Sequence, residues 1–219
     1  MERIFYCRQL PAWERSLELI GLAAVKGIET YEVTERVMRK ISCEDNPQAI
    51  CAVCRIPEYS IKKITEKAKG CLIVLDGLQD PGNVGAIIRS SDAAGSIGVI
   101  ACSGTVDLYN PKTVRATMGS SFHFPCIEMQ EIHDVLSILK EHGYTVVYTA
   151  ADGAHMAHKY DYPEKLAIII GNEGNGVSAK AAEDSDTSLA IPIWGKAESL
   201  NASIAASIVI YQYAFRHLS

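Results

Sequence analysis

An α/β fold with a mostly parallel six-stranded sheet between helices is predicted for this chain. Three observations carry that prediction. Across residues 70–219 short aliphatic runs alternate with helical stretches. The runs are near-continuous in apolar residues, as in strands covered on both faces. Finally, their spacing is that of βαβ crossovers, and a hydrophobic share of 48% over 219 residues is enough to fill a core.

The elements follow in order. A strand at 71–75 leads through Asp80-Pro81-Gly82-Asn83 into a helix at about 84–94, stopped by Gly95. Strands are expected at 97–101 and 124–129, with a helix at 111–118 between them that has proline in its first turn. A helix at 132–142, ended by Gly143, precedes strands at 145–149, 166–170 and 189–193. The closing helix, 200–217, has Ile204, Ala205, Ile208, Val209 and Tyr213 on or near one face, with Ser199 as its N-cap. Residues 1–66 form a separate small α/β unit, and residues 70–219 the main domain, with the boundary near Ala68-Lys69-Gly70. The small unit reads as helix 13–25, strand 30–33, helix 34–40 and strand 49–55.

Composition narrows the function classes. A formal charge of −5 argues against nonspecific coating of nucleic acid, which needs broad positive surface. No apolar run reaches the ~18–20 residues that span a bilayer, and no signal-peptide core follows Met1, so a cytoplasmic protein without membrane contact is expected. Seven scattered cysteines are too sparse for a secreted disulfide scaffold. Cys51 and Cys54 have a metal or redox spacing but no second ligand pair, and His155 and His158 lack a partner motif, so no metal is expected.

Three loops carry the chemistry. Asn83, Gly85 and Arg89 stand at a helix entry, where backbone N–H groups point outward. Gly171-Asn172-Glu173-Gly174-Asn175-Gly176 follows an aliphatic strand, and glycine there lets backbone approach a ligand closely. Glu173 in that loop needs a cation or amide donors, and Arg89 is a candidate partner. Ile191-Pro192-Ile193 leads to Ser199-Leu200-Asn201-Ala202-Ser203, polar groups at the mouth of an apolar helix. The glycine spacings match neither a Walker A loop nor the dinucleotide fingerprint.

In this order and spacing the three loops resemble the motifs of the SpoU branch of the SPOUT methyltransferases, also called the TrmH family. The likeness covers residues 71–219: Asn-x-Gly-x-x-x-Arg at 83–89, Gly-Asn-Glu-Gly-x-Gly at 171–176, and Ile-Pro with Ser-Leu-Asn-x-Ser-x-Ala at 191–205. It implies a C-terminal trefoil knot, a homodimer, S-adenosylmethionine as methyl donor and a ribose 2′-hydroxyl of RNA as acceptor, ribosomal RNA ahead of transfer RNA. It places cofactor contacts at Thr149, Ala150, Gly171, Asn172, Ile191 and Leu200, and reaction roles at Arg89, Asn83, Glu173, Ser199 and Asn201. Residues 1–66 resemble the later part of an L30e-like RNA-binding domain, whose opening strand and helix have no counterpart before Met1. Two other readings stand beside it: an NAD-linked oxidoreductase on an open α/β sheet, and an RNA-binding factor that keeps the pocket without turnover.

Overall fold

The computed structural model describes every residue except Cys43, Ala68 and Ser219. Among them, Ala68 falls in the expected boundary and Cys43 in the cysteine count, so both lie outside the described residues. The chain forms two compact units, 1–57 and 58–219. The division comes earlier than the expected 66–70. Its physical reason is the short helix Ile61–Thr65, whose Ile64 is buried in the larger unit's core beside Tyr59 and Ile61.

In the small unit, strand β1 (Arg3–Tyr6) pairs in parallel with β2 (Glu29–Glu32) and antiparallel with β3 (Ile50–Val53). Helices α1 (Leu17–Val25) and α2 (Glu35–Ser42) complete it. Cys7, Leu10, Met38 and Ala49 make its core, with Phe5 and Trp13 packed against them. The reading of the sequence has no strand at β1, although Ile4 is the buried member of that run.

Counting Ile61–Thr65 as α3, the larger unit is built on strands β4 (Gly70–Asp76), β5 (Gly98–Ala101), β6 (Cys126–Glu128), β7 (Thr145–Thr149), β8 (His155–Met156), β9 (Lys165–Gly171) and β10 (Thr187–Ala190). They form a seven-stranded sheet in the order β6-β5-β4-β9-β7-β10-β8, parallel at every pairing. The seventh strand, β8, is a two-residue edge piece, too short for any periodic signal in the sequence. The expected strand 189–193 ends at Ala190 instead, and Ile191 and Ile193 belong to the loop beyond it. β10 lies between β7 and β8, which precede it in the chain.

Helices cover both faces. Cys71, Ile73 and Leu75 of β4 and Leu166, Ile168 and Ile170 of β9 pack against α4 (Pro81–Ala93) and against the long C-terminal helix Ala202–His217. Their alternates Leu72, Val74, Ala167 and Ile169 face the opposite layer, which holds Val135, Leu136 and Leu139 of Ile132–Glu141 and Ala181 of Ala179–Glu183. With Pro111–Ala116 as α5, these are α6, α7 and, for the C-terminal helix, α8. Burial on both faces explains why β4 and β9 read as unbroken apolar runs.

Gly85 is a packing residue. A Cβ on it would overlap the Cβ of Ala116 and lie 2.6 Å from the Thr113 carbonyl oxygen, so α4 and α5 meet at bare backbone. The glycine of the Asn-x-Gly element therefore serves helix contact, not a ligand. On α8 the buried face is Ser203, Ala206, Val209, Ile210, Tyr213 and Ala214, whereas Ile204 is 52% exposed, a correction to the face expected from the sequence.

Candidate functional site

The strand ends of β7, β9 and β10 and the start of α8 enclose a cleft of about 360 Å³. Thr149, Ala150, Gly171, Asn172, Ile191 and Leu200 all line it, together with Glu173 and Ser199. Two of the three loops, at 171–176 and 191–203, thus meet where strands of an open α/β sheet end, the usual place for a ligand, while residues 83–89 are not in the lining.

The loop after β9 is held by its own side chains. Asn172 and Gly176 exchange backbone hydrogen bonds of 2.8 and 2.9 Å, and Gly176 has a φ of 69°, which glycine adopts without strain. Asn172 Oδ1 accepts from the N–H groups of Gly174 (2.9 Å) and Asn175 (3.1 Å), and Asn172 Nδ2 donates to the Gly77 carbonyl (2.9 Å). Buried Asp76, at the end of β4, accepts from the Ser178 N–H at 2.6 Å and anchors the far end of the loop. Asp76 is absent from the sequence-based site; its only signal there is an acid closing an aliphatic run.

Gly171 serves the same loop. A Cβ on it would fall inside the backbone of Gly176 and Val177, so the missing side chain is a requirement of the fold before any ligand arrives.

Glu173 does not pair with Arg89. It accepts from the N–H groups of Gln79 (3.3 Å) and Asp80 (3.2 Å) and from Asn83 Nδ2 (3.0 Å). Partial burial would raise its pKa, but these hydrogen bonds outweigh it and hold the carboxylate below its ordinary range. The chain of bonds continues: Asn201 Nδ2 donates to Asn83 Oδ1 (2.9 Å), and Asn201 Oδ1 accepts from the N–H groups of Ser203 (2.9 Å) and Ile204 (3.3 Å). Asn201, not Ser199, is accordingly the N-cap of α8. Ser199 lies in the preceding loop, exposed, and makes no hydrogen bond among the described residues. Each amide in this line has one orientation, since reversing Asn201 would place its NH₂ against two N–H donors. Asn83, Glu173 and Asn201, from three distant loops, form one connected rim.

Arg89 lies off that rim. Six residues separate it from Asn83, about 240° around the helix, so the two side chains leave α4 in different directions. Arg89 is exposed and makes no hydrogen bond or ion pair among the described residues.

The remaining candidates are quiet. Cys51 sits on β3 and Cys54 just past it, both half-buried. His155 packs on the Tyr160 ring at 5.6 Å. Among the described residues no three potential metal ligands come together, and no helix is long and apolar enough to cross a membrane.

Comparison with known proteins bears on this geometry. Residues 70–211 match the SpoU rRNA methylase family model, and residues 6–60 match the model for RNA 2′-O ribose methyltransferase substrate binding. The 23S rRNA (guanosine(2553)-2′-O)-methyltransferase RlmP of Bacillus subtilis is 38% identical over 185 residues, which cover 84% of this chain and 72% of that protein. The SpoU methyltransferase AviRb of Streptomyces viridochromogenes, solved with AdoMet, aligns with a TM-score of 0.85 at 27% identity over 99% of this chain and 83% of its own. An AdoMet-bound rRNA methyltransferase from Sinorhizobium meliloti also gives 0.85, at 31% identity over all of this chain and 80% of its own. The parallel sheet with β10 set between β7 and β8, the linked loops and these matches agree: the chain belongs to the SpoU rRNA methylase family.

Proposed function

We propose that this protein transfers a methyl group from S-adenosylmethionine to a ribose 2′-hydroxyl of ribosomal RNA. The observation that carries the cofactor is the electrostatics of the cleft. Among the described residues no lysine or arginine lines it and Glu173 is its one charged group, whose hydrogen bonds favour the ionised form. A neutral, partly apolar cradle with one carboxylate suits a cationic sulfonium. It is a poor match for a dinucleotide's diphosphate, which argues against the oxidoreductase reading. Thr149, Ala150, Gly171, Asn172, Ile191 and Leu200 would hold the adenosyl group, and S-adenosylmethionine supplies the electrophilic methyl when bound.

The chain's own work is alignment. The Asn83–Glu173–Asn201 rim fixes the entrance of α4 against that of α8, and with it the separation of the two reactants. A guanidinium offers hydrogen-bond donors and no acceptor, so Arg89 is not the base. It clamps the phosphate beside the target ribose and stabilises the alkoxide as it develops, while water or the RNA accepts the proton. Ser199, with its hydroxyl unspent at the cleft, fixes the nucleotide or the cofactor's tail. Ribosomal RNA is favoured over transfer RNA by the named activity of the Bacillus relative. Cytoplasmic action follows from that substrate.

Incubation with methyl-labelled S-adenosylmethionine and ribosomal RNA is expected to place label in alkali-resistant dinucleotides, the signature of 2′-O-methylation. Label confined to bases would overturn the reaction, and binding without transfer would favour the non-catalytic factor.

The assembly reading is a homodimer through α8. Ile204, Ile208, Tyr211 and Phe215 recur at i, i+4, i+7 and i+11, and Phe215 is 65% exposed. An apolar stripe of this length on the side of α8 away from the core supports that reading. Sedimentation is expected to give twice the chain mass of 23.8 kDa, and Ile204→Asp is expected to halve it.

A further inference from the structure

Gly85, Arg89 and Asp92 stand at i, i+4 and i+7 and therefore share one side of α4. The segment 113–123 borders that side. Thr113 and Ala116 pack on Gly85, and His123 Nε2 lies 2.9 Å from Asp92 Oδ2. These two anchors bracket Arg89 along α4, and between them the segment carries Met118 and Phe122. Both are exposed, at 72% and 64%.

The exposure is built in. Met118 has a φ of 50°, in the left-handed region that a long side chain rarely occupies, and Gly119 follows at 103°. Under the turn, buried Thr117 donates its hydroxyl to the Val114 carbonyl (2.7 Å) and lies 3.1 Å from the Ser121 hydroxyl. The Phe124 N–H donates to the Ser120 carbonyl at 2.9 Å. A strained, braced turn thus presents a thioether and an aromatic ring to solvent along the side of α4 that carries Arg89, which has no acid partner among the described residues.

We propose that Met118 and Phe122 form a platform for the face of an unpaired RNA base whose phosphate meets Arg89. This rests on the RNA reading above and assigns it a docking surface. A flat, polarizable contact next to a cation fits a nucleotide, since the base stacks and the phosphate neutralises the charge. A second copy of the chain fits poorly, because covering this turn with an apolar protein face would bury Arg89 without a counter-charge.

The test is methyl transfer at varied RNA concentration with the full chain, comparing Phe122→Ala and Met118→Gly with the wild type. Each is expected to raise KM for RNA about tenfold, the scale of one lost base stack, with kcat and S-adenosylmethionine affinity unchanged. Phe122→Trp is expected to restore KM. Met118→Gly removes the side chain while relieving the backbone, so its unfolding midpoint should hold or rise, and a raised KM there excludes a folding defect. Unchanged KM in both variants overturns the platform while leaving the RNA reading intact. Loss of self-association in either variant assigns the turn to a second copy and also overturns it. A wild-type protein that labels no RNA overturns both together.

Discussion

Gly171→Ala, the addition of one methyl group, is expected to lower the unfolding midpoint of the ligand-free protein and to abolish S-adenosylmethionine binding. The new Cβ would overlap main-chain atoms of Gly176 and Val177, and main chain cannot rotate aside as a side chain can. Overpacking a tight site costs about 1–3 kcal/mol, and at fixed backbone the upper end applies. For a domain of this size about 3 kcal/mol lowers the midpoint by roughly 6–12 °C. Thermal unfolding and titration calorimetry together decide the cause. Were the glycine present only to admit the cofactor, alanine would weaken binding and leave the ligand-free midpoint where it was, and that result would sink the structural reading.

Arg89→Ala is expected to behave in the opposite way. The side chain is exposed and bonded to nothing among the described residues, so stability should change by less than about 0.5 kcal/mol. It also lies outside the cleft lining, so cofactor affinity should hold. Turnover should fall about 10²–10³-fold, the usual loss when a preorganised donor to developing charge is removed. Arg89→Lys should recover only part of the rate, since an ammonium keeps the charge without the two-pronged geometry. A full methylation rate in Arg89→Ala would remove the residue from the chemistry.

The sequence carried part of the site legibly. The three loops could be read as one because their residue types have few other uses at strand ends, and Asn83, Glu173 and Asn201 do meet. What could not be read is which donor meets which acceptor. Glu173 is satisfied by Asn83 and two peptide N–H groups, an outcome fixed by the packing of β4 on β9 and not by spacing along the chain. Ser199 and Asn201 are equally good capping types, and the bond from Asn201 to Asn83 decides where α8 begins. Two glycines carry a constraint that one dimension hides. Gly85 and Gly171 each face another stretch of the protein's own chain, although Gly171 also lines the cleft. Asp76 passed unnoticed because its partner, the Ser178 N–H, is 102 residues away. Within the sheet, runs buried on both faces announced themselves, while the two residues of β8 were too few to do so.

The place of β10 bears on how the protein comes to exist. Leu189 on this strand walls the cleft, yet the strand is flanked by neighbours made some thirty to forty residues earlier during synthesis. A nascent chain emerging from the ribosome can pair β4, β5, β6, β7 and β9 before β10 has been made. Competence for the cofactor arrives last, once β10 has paired with β7 and α8 supplies its share of the cleft wall, so translation products truncated before β10 are expected not to bind it.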